Sequence, residues 1–252
     1  MEKMPENIQI NKNGILITAA LYFEISFFLN KKKKVCLWKE KNCSLFQVKS
    51  LSGDFYAGIT GIGPDGVHRF LKCPFLKKIG FGAIISTGLA GAMQKELHPG
   101  MLVTADKIYY AEKVFPAEPY KNPGNTKFIF CVTSGYTSPV VLCARDKLLI
   151  RRQIPAGFVD MESGVLAAWA EKENKAFFIT RVISDGLYDF IPDHKFFPVK
   201  KKIKIIAAVL LHPVKFYKSL LFALKCRYAR SILCSFLDMV ITANPEKILL
   251  PD

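Results

Sequence analysis

Short apolar runs alternate with stretches of helical spacing along this chain, and that alternation sets the first expectation. Gly14 to Ala19 (GILITA) is a continuous apolar run that predicts a buried strand, and Leu21 to Asn30 behind it predicts a helix. Phe55 to Thr60 predicts a second strand, running into Gly61-Ile62-Gly63, and Pro64 suits the first turn of a helix that continues through Cys73. Ala83 to Thr87 (AIIST) predicts a strand that ends at Gly88; Met101 to Ala105 and Phe128 to Val132 predict two more. Asp146 to Ile154 has helical spacing, Gly157 to Val159 is a short strand, Met161 to Lys172 a helix, and Ala176 to Ser184 (AFFITRVIS) a long apolar strand. Strands and helices in this order predict an α/β fold, three-layer α/β/α, with a central mixed, largely parallel sheet. In such sheets, ligand-binding groups collect at the carboxyl ends of the strands.

Neither a repeat nor a low-complexity linker interrupts the 252 residues, half of which are hydrophobic. The organisation expected is a catalytic core over residues 1–193 followed by a basic segment, 194–252. In that segment Lys200-Lys201-Lys202 precedes an apolar run, Ile205 to Leu211, which His212-Pro213 breaks. The run is far short of the roughly 20 residues that a spanning helix needs. Val214 to Leu237 then reads as an amphipathic helix, with Phe216, Leu220, Leu221 and Leu224 set against Lys215, Lys218, Lys225, Arg227 and Arg230. Such a helix either packs on the core with a basic outer face or lies on a membrane surface.

Charge sharpens that choice. The formal net charge is +15, and between His194 and Leu237 there are ten Lys or Arg and no Asp or Glu. A bias of this kind suits an anionic partner: nucleic acid, an anionic membrane or a phosphorylated substrate. The second cluster, Lys31 to Lys34, sits where a helix should end, and cations suit a helix C-terminus. The charged fraction of 23% argues against disorder. The first twelve residues are polar and mixed in charge, so no signal peptide is expected there. Seven cysteines without a C-x-x-C pair suit reduced thiols in the cytoplasm, and four scattered histidines form no metal pattern.

Candidate chemistry sits at the strand ends. Glu24 lies five residues past the strand that ends at Ala19, Asp160 and Glu162 flank Met161 at a strand-to-helix junction, and Asp185 closes the long apolar strand. A carboxylate there is costly unless it is paired or hydrogen-bonded. Several together push their pKa values apart, which suits acid–base work. Each one alone also reads as a helix cap or a favourable charge at a helix N-terminus. Two glycine clusters follow strands, Thr60-Gly61-Ile62-Gly63 and Thr87-Gly88-Leu89-Ala90-Gly91, and each could bring backbone N–H groups close to a ligand. With Gly66 the first gives G-x-G-x-x-G, but residues 78 to 90 hold no Asp or Glu to take a dinucleotide ribose, so a dinucleotide cofactor is set aside.

These residues resemble a family. Ser86-Thr87-Gly88-Leu89-Ala90-Gly91 followed by Pro99-Gly100-Met101-Leu102-Val103 resembles the N-T-G-x-A-G…x-G-D-I-V block of methylthioadenosine/S-adenosylhomocysteine nucleosidases and their nucleoside phosphorylase relatives. Val159-Asp160-Met161-Glu162-Ser163 is similar to the family's V-E-M-E-A, Arg181 to Asp185 to its R-A-I-S-D, Thr60 to Gly63 to its S-G-I-G, and Ile15 to Ile25 to its first strand and turn. The five blocks occur in the right order and cover about residues 14 to 190. The resemblance implies cleavage of the N-glycosidic bond of an adenine nucleoside, without a cofactor. It makes Asp185 the general acid at adenine N7 and Glu24 the group that orients and deprotonates water. It places Glu162 on the ribose hydroxyls with Met161 against the sugar, and Arg181 and Ser184 behind Asp185. Asp160, Gly61, Gly88, Leu89 and Ala90 complete the expected substrate site, with no metal. It also implies a homodimer.

Leu89 stands where relatives that handle phosphate often carry Ser or Thr, and Gly14 to Asn30 holds no Arg for a phosphate site. This favours hydrolysis, although Arg69 or a subunit neighbour could supply the cation; a phosphorylase would take orthophosphate as co-substrate. The basic, Pro-interrupted tail is similar to that of hopanoid-associated nucleoside phosphorylases, which implies adenosylhopane as substrate and a protein at the inner face of the membrane. A soluble methylthioadenosine/S-adenosylhomocysteine nucleosidase is the alternative. A non-catalytic nucleic-acid-binding protein is a third reading; no aromatic-basic interleaving of the RNA-binding kind supports it, so no nucleic acid is expected.

Overall fold

The computed structural model describes residues 14–51, 53–120, 128, 130–192 and 213–242. The first strand, β1 (Ile15–Ala19), is buried throughout and lies parallel between β4 (Phe55–Ile59) and β5 (Ala83–Ala92). Side chains alternate across a strand, so consecutive residues enter opposite faces. Leu16, Ile84 and Ile179 belong to one hydrophobic cluster; their neighbours Ile17, Ile85 and Phe178 belong to another. Both faces of the sheet are therefore covered, which explains why these strands read as unbroken apolar runs.

The helices divide accordingly. On the first face lie α2 (Gly63–Phe70), through Val67 and Phe70, and α4 (Ser163–Lys172), through Val165, Leu166 and Ala170. On the second lie α1 (Tyr22–Leu29), through Ile25, Phe28 and Leu29, and the 30-residue α5 (Pro213–Thr242), through Ala229, Leu233, Leu237 and Val240. This is the α/β class with helices on both sides of a mixed sheet. A further helix, α3 (Ala144–Arg151), leaves most of its residues at the surface.

Among the described residues the sheet has ten strands. Besides those named, they are β2 (Lys34–Glu40), β3 (Cys43–Val48), β6 (Leu102–Tyr110), β7 (Lys113–Pro116), β8 (Phe130–Thr137), β9 (Phe158–Asp160) and β10 (Ala176–Asp185). Parallel pairing runs through β4, β1, β5 and β10 and through β6, β8 and β9; antiparallel pairs join the two sets and add the β2–β3 hairpin and β7. Because β10 pairs with both β5 and β6, the path β5–β9–β8–β6–β10 returns to β5. That closure draws the ends of β5, β9 and β10 together.

Several boundaries differ from the sequence expectation, each for a local reason. Gly88 does not end its strand: β5 continues to Ala92 because β10 pairs with it along its whole length. The helix expected from Met161 begins at Ser163, since Asp160 to Glu162 turn the chain between β9 and α4. Hairpin β2–β3 was not expected, because β2 is an edge strand whose Lys34, Lys39 and Glu40 mask its period; charges there also keep the edge from pairing with other chains. The cationic cluster does meet a helix end: Lys34 Nζ donates to the Leu29 carbonyl at 3.1 Å, and Lys32 pairs with Asp238 of α5 at 3.0 Å.

Lys200 to Lys202 and Ile205 to Leu211 lie outside the described residues. The helix expected over Val214 to Leu237 is α5, and its two halves differ. Beyond Tyr228, Ala229, Leu233, Phe236, Leu237, Val240 and Ile241 are buried; before it, Tyr217, Leu220, Leu221 and Leu224 are exposed. Among the described residues no helix is long and apolar enough to cross a membrane. The buried half is part of the core: Phe236 packs edge-on against Tyr120, Phe128 and Phe130. Phe236→Ala is expected to cost about 3–5 kcal/mol in denaturant unfolding, whereas Leu224→Ala, at the exposed end, should stay within about 0.5 kcal/mol of the parent.

Candidate active site

Four elements bring carboxylates to one region. Glu24 lies in the first turn of α1, and its side chain turns back on the chain. Its Oε2 accepts from the Leu21 amide at 2.9 Å and its Oε1 from the Leu89 amide at 3.0 Å. The second contact needs Gly88, where a Cβ would stand 2.8 Å from Oε1. Burial raises the Glu24 pKa, opposed by the Leu89 and Leu21 amides and by the charge of Arg181. Leu89 thus serves through its backbone, and its side chain packs with the second core cluster. Ala90 also acts through its backbone, its carbonyl accepting from Ser184 Oγ at 3.2 Å.

Glu162 caps α4, and its Oε1 accepts from the Gly63 amide at 2.8 Å, at the N-terminus of α2. A glycine is needed at Gly63, whose φ is +73°, and the Met161 methyl group lies over it. The sequence reading placed Gly61 in the substrate site. Gly61 instead makes the turn into α2, with φ of +78° and Gly66 packed against its backbone, and touches none of the carboxylates. Burial, first, and then the negative charges of Asp160 and Glu24 raise the Glu162 pKa to about 8.

Asp185, at the end of β10, accepts from Ser184 Oγ on Oδ1 at 2.7 Å and from Lys147 Nζ on Oδ2 at 2.5 Å. Ser184 thus bonds the neighbouring carboxylate. Arg181 does not reach Asp185: the two are four residues apart on one strand, about 13 Å at the usual rise. Its guanidinium holds Asp160 instead, through Nε at 3.0 Å and Nη2 at 2.8 Å, and Nη2 also donates to Ser86 Oγ and Ser163 Oγ. Asp160 further accepts from Thr137 Oγ1 and the Ser163 amide, so its oxygens are occupied by the protein. Its place is behind the site, as the anchor of Arg181, and this replaces the substrate contact expected of it.

Two residues were missed. Lys147 is 1% exposed, and nothing in a chain with 36 Lys and Arg marks it out. Cys226 of α5 has its thiol pushed up to about 12 by burial and then by the charges of Asp185 and Glu24. The C-terminal helix therefore passes beside the carboxylates. Among the described residues no three His, Cys, Asp or Glu are grouped to hold a metal.

The arrangement is a cluster of buried and half-buried carboxyls with backbone amides aimed at it, at the closure of β5, β9 and β10. No family model matches the sequence, and no curated protein matches it either. Solved structures do. A mutant Helicobacter pylori methylthioadenosine nucleosidase, with 5′-methylthioadenosine in its active site, superposes with a TM-score of 0.68 at 12% identity, covering 92% of this chain and 99% of that one. A mutant futalosine hydrolase of the same organism gives 0.67 and 12% over the same shares. A Francisella philomiragia protein, described as a putative 5′-methylthioadenosine/S-adenosylhomocysteine nucleosidase, gives 0.68 and 15%, covering 91% and 99%. The chain has the nucleosidase fold. Coverage is near complete in both directions.

Within the nucleosidase fold, the raised pKa of Glu162 has a measurable consequence. In the unfolded chain the carboxyl ionises near its ordinary value of 4.5, in the folded protein near 8. Between the two the folded state holds the extra proton, so this group's stabilisation is full below pH 4.5 and is lost as pH rises through 8. Glu162→Gln should flatten the fall in melting temperature between pH 5 and 9. An unchanged slope would remove Glu162 as its source.

Proposed function

We propose that this chain hydrolyses the N-glycosidic bond of an adenine nucleoside, the roles falling to Asp185, Glu162 and Glu24. The observation that carries the reading is the three differently held carboxyls on a fold shared with nucleosidases. Departure of adenine leaves positive charge on the ribose, and carboxylates close to it lower that barrier. Asp185, with two donors on it, is the group to hand a proton to N7. Glu162, with Met161 beside it, faces the ribose hydroxyls. Glu24, oriented by two amides, takes a proton from water.

Water is favoured over phosphate for an electrostatic reason. The Leu89 amide, which could bind an anion, is already taken by the Glu24 carboxylate, which would repel a phosphate. Arg181 is committed to Asp160 and Lys147 to Asp185. Product formation from 5′-methylthioadenosine in phosphate-free buffer should match that with phosphate present. Asp185→Asn should lose about 10²–10⁴-fold in adenine release, and Glu24→Gln should remove hydrolysis, both with the fold intact by circular dichroism. Strict dependence on phosphate with a sugar 1-phosphate as product would instead assign a phosphorylase.

The finer reading is a lipid nucleoside, adenosylhopane, taken from the inner membrane surface by a dimeric, peripherally bound enzyme. It is supported by the exposed half of α5, where Tyr217, Leu221, Leu224 and Tyr228 form an apolar stripe at helical spacing with Lys218 and Arg227 beside it. An exposed apolar face with cations suits the headgroup region of an anionic bilayer. A cavity of about 270 Å³ lies beneath, lined by Tyr188, Phe190, Leu221, Phe222, Lys218 and Lys225. Asp189 joins it to the site, pairing with Lys225 and accepting from the amide of Gly186 next to Asp185. The protein should sediment with anionic vesicles and much less with neutral ones. Leu221→Gln with Leu224→Gln should release it while leaving turnover of 5′-methylthioadenosine unchanged. Indifference to both vesicle types at low salt would favour a substrate dissolved in water.

A further inference from the structure

We propose that Lys147 is the proton reservoir of the site, replacing the proton that Asp185 gives to the leaving base. The proposal rests on the general-acid reading of Asp185. In the resting pair, the Lys147 ammonium donates to Asp185 Oδ2 and also, at 3.3 Å, to the Gly186 carbonyl. A carboxylate in that pair has no proton of its own to give. The acid is then the pair, and its mobile proton starts on Nζ.

The placing of Lys147 is not what stability alone would select. Helix α3 buries one residue, and it is this lysine; Leu148 and Leu149 of the same turn are exposed. Lysine is almost never fully buried and leucine commonly is. A buried ion pair is moreover often no more stable than the apolar residues that could replace it. The fold also clears space for the pair. A Cβ on Gly91 would stand 2.8 Å from both Asp185 Oδ2 and Lys147 Nζ. Lysine and glycine, from α3 and β5, thus shape one contact.

The step balances. The bond between C1′ and N9 breaks and its electrons pass to the base. Nζ passes a proton to Asp185 as Asp185 passes it on to N7, leaving Asp185 a carboxylate again and Lys147 a neutral amine. Water adds its oxygen to C1′ and gives its proton to Glu24, and that proton returns to Lys147 through solvent before the next turnover.

The test separates proton supply from positioning by the leaving group. Adenine needs a proton to leave well; 4-nitrophenolate, from 4-nitrophenyl β-D-ribofuranoside, does not. Lys147→Met should lower kcat about 10²–10³-fold on 5′-methylthioadenosine and less than about tenfold on the nitrophenyl riboside, and Lys147→Arg, whose guanidinium keeps its proton, should not restore the adenine rate. Folding is checked by thermal melting; if Lys147→Met does not fold, Lys147→Arg and Gly91→Ala carry the same comparison. Equal losses on the two substrates in a folded variant, or no loss on either, overturn the proposal. A wild type that releases no adenine from any adenine nucleoside overturns the nucleosidase reading itself, and this inference with it.

Discussion

A guanidinium with almost no contact to water fixes the geometry on which the site depends. Arg181 is 1% exposed and joins four elements: Asp160 at the end of β9, Ser163 at the start of α4, Ser86 on β5, and its own strand β10 through the Thr180 carbonyl. Removing one partner of such a pair leaves a charge stranded in the interior, at a cost of about 3–5 kcal/mol. The network has two geometric effects. Holding Asp160 and Ser163 fixes both ends of the turn that carries Met161 and Glu162, so that Glu162 can reach the Gly63 amide. Tying Ser86 to β10 sets β5 beside it, and β5 then presents Gly88 to Glu24 and Gly91 to Asp185. Glu24, Glu162 and Asp185 are thus placed by a residue whose own carboxylate partner is Asp160.

How much of this is legible in the sequence depends on contrast. β1, β5 and β10 are unbroken apolar runs, so their existence and their burial on both faces can be read directly. The acidic residues at their ends stand out against the same background, and Glu24, Glu162 and Asp185 are found together where the sheet closes. Lys147 offers no contrast in so basic a chain, and neither does the edge hairpin β2–β3, whose exposed charges hide its alternation. The partner of Arg181 was misread for another reason. The resemblance sets it behind Asp185, but a strand is extended and keeps residues four apart out of each other's reach, while Asp160, 21 positions away, lies across the sheet. The bulge between Ile183 and Asp185 is equally silent in the sequence, and there Ser184 turns onto the neighbouring carboxylate.

Charge is distributed against the average of the molecule. The chain carries +15, yet its site gathers the carboxyls of Glu24, Asp160, Glu162 and Asp185 around two buried cations, Arg181 and Lys147. That excess of acid is offset in two ways. Amides of Leu21, Leu89 and Gly63 point at the carboxylates and supply fixed positive ends that need no reorganisation. Glu162 relieves the remainder by holding a proton near neutral pH.

A site balanced in this way discriminates between charges that form during reaction. A phosphate entering beside Glu24 would add to the acid excess, whereas positive charge growing on a ribose would reduce it. The same balance explains why a basic exterior need not signify a basic substrate pocket. Lys218 and Arg227 of α5 and Lys31 and Lys33 after α1 lie at the surface, whereas Arg230 of α5 is buried against Phe23 and Phe27. Helix α5 joins exterior and interior, since its half beyond Tyr228 packs against α1 and β10 and its exposed half precedes Tyr228, with Cys226 close to the charges of Asp185 and Glu24.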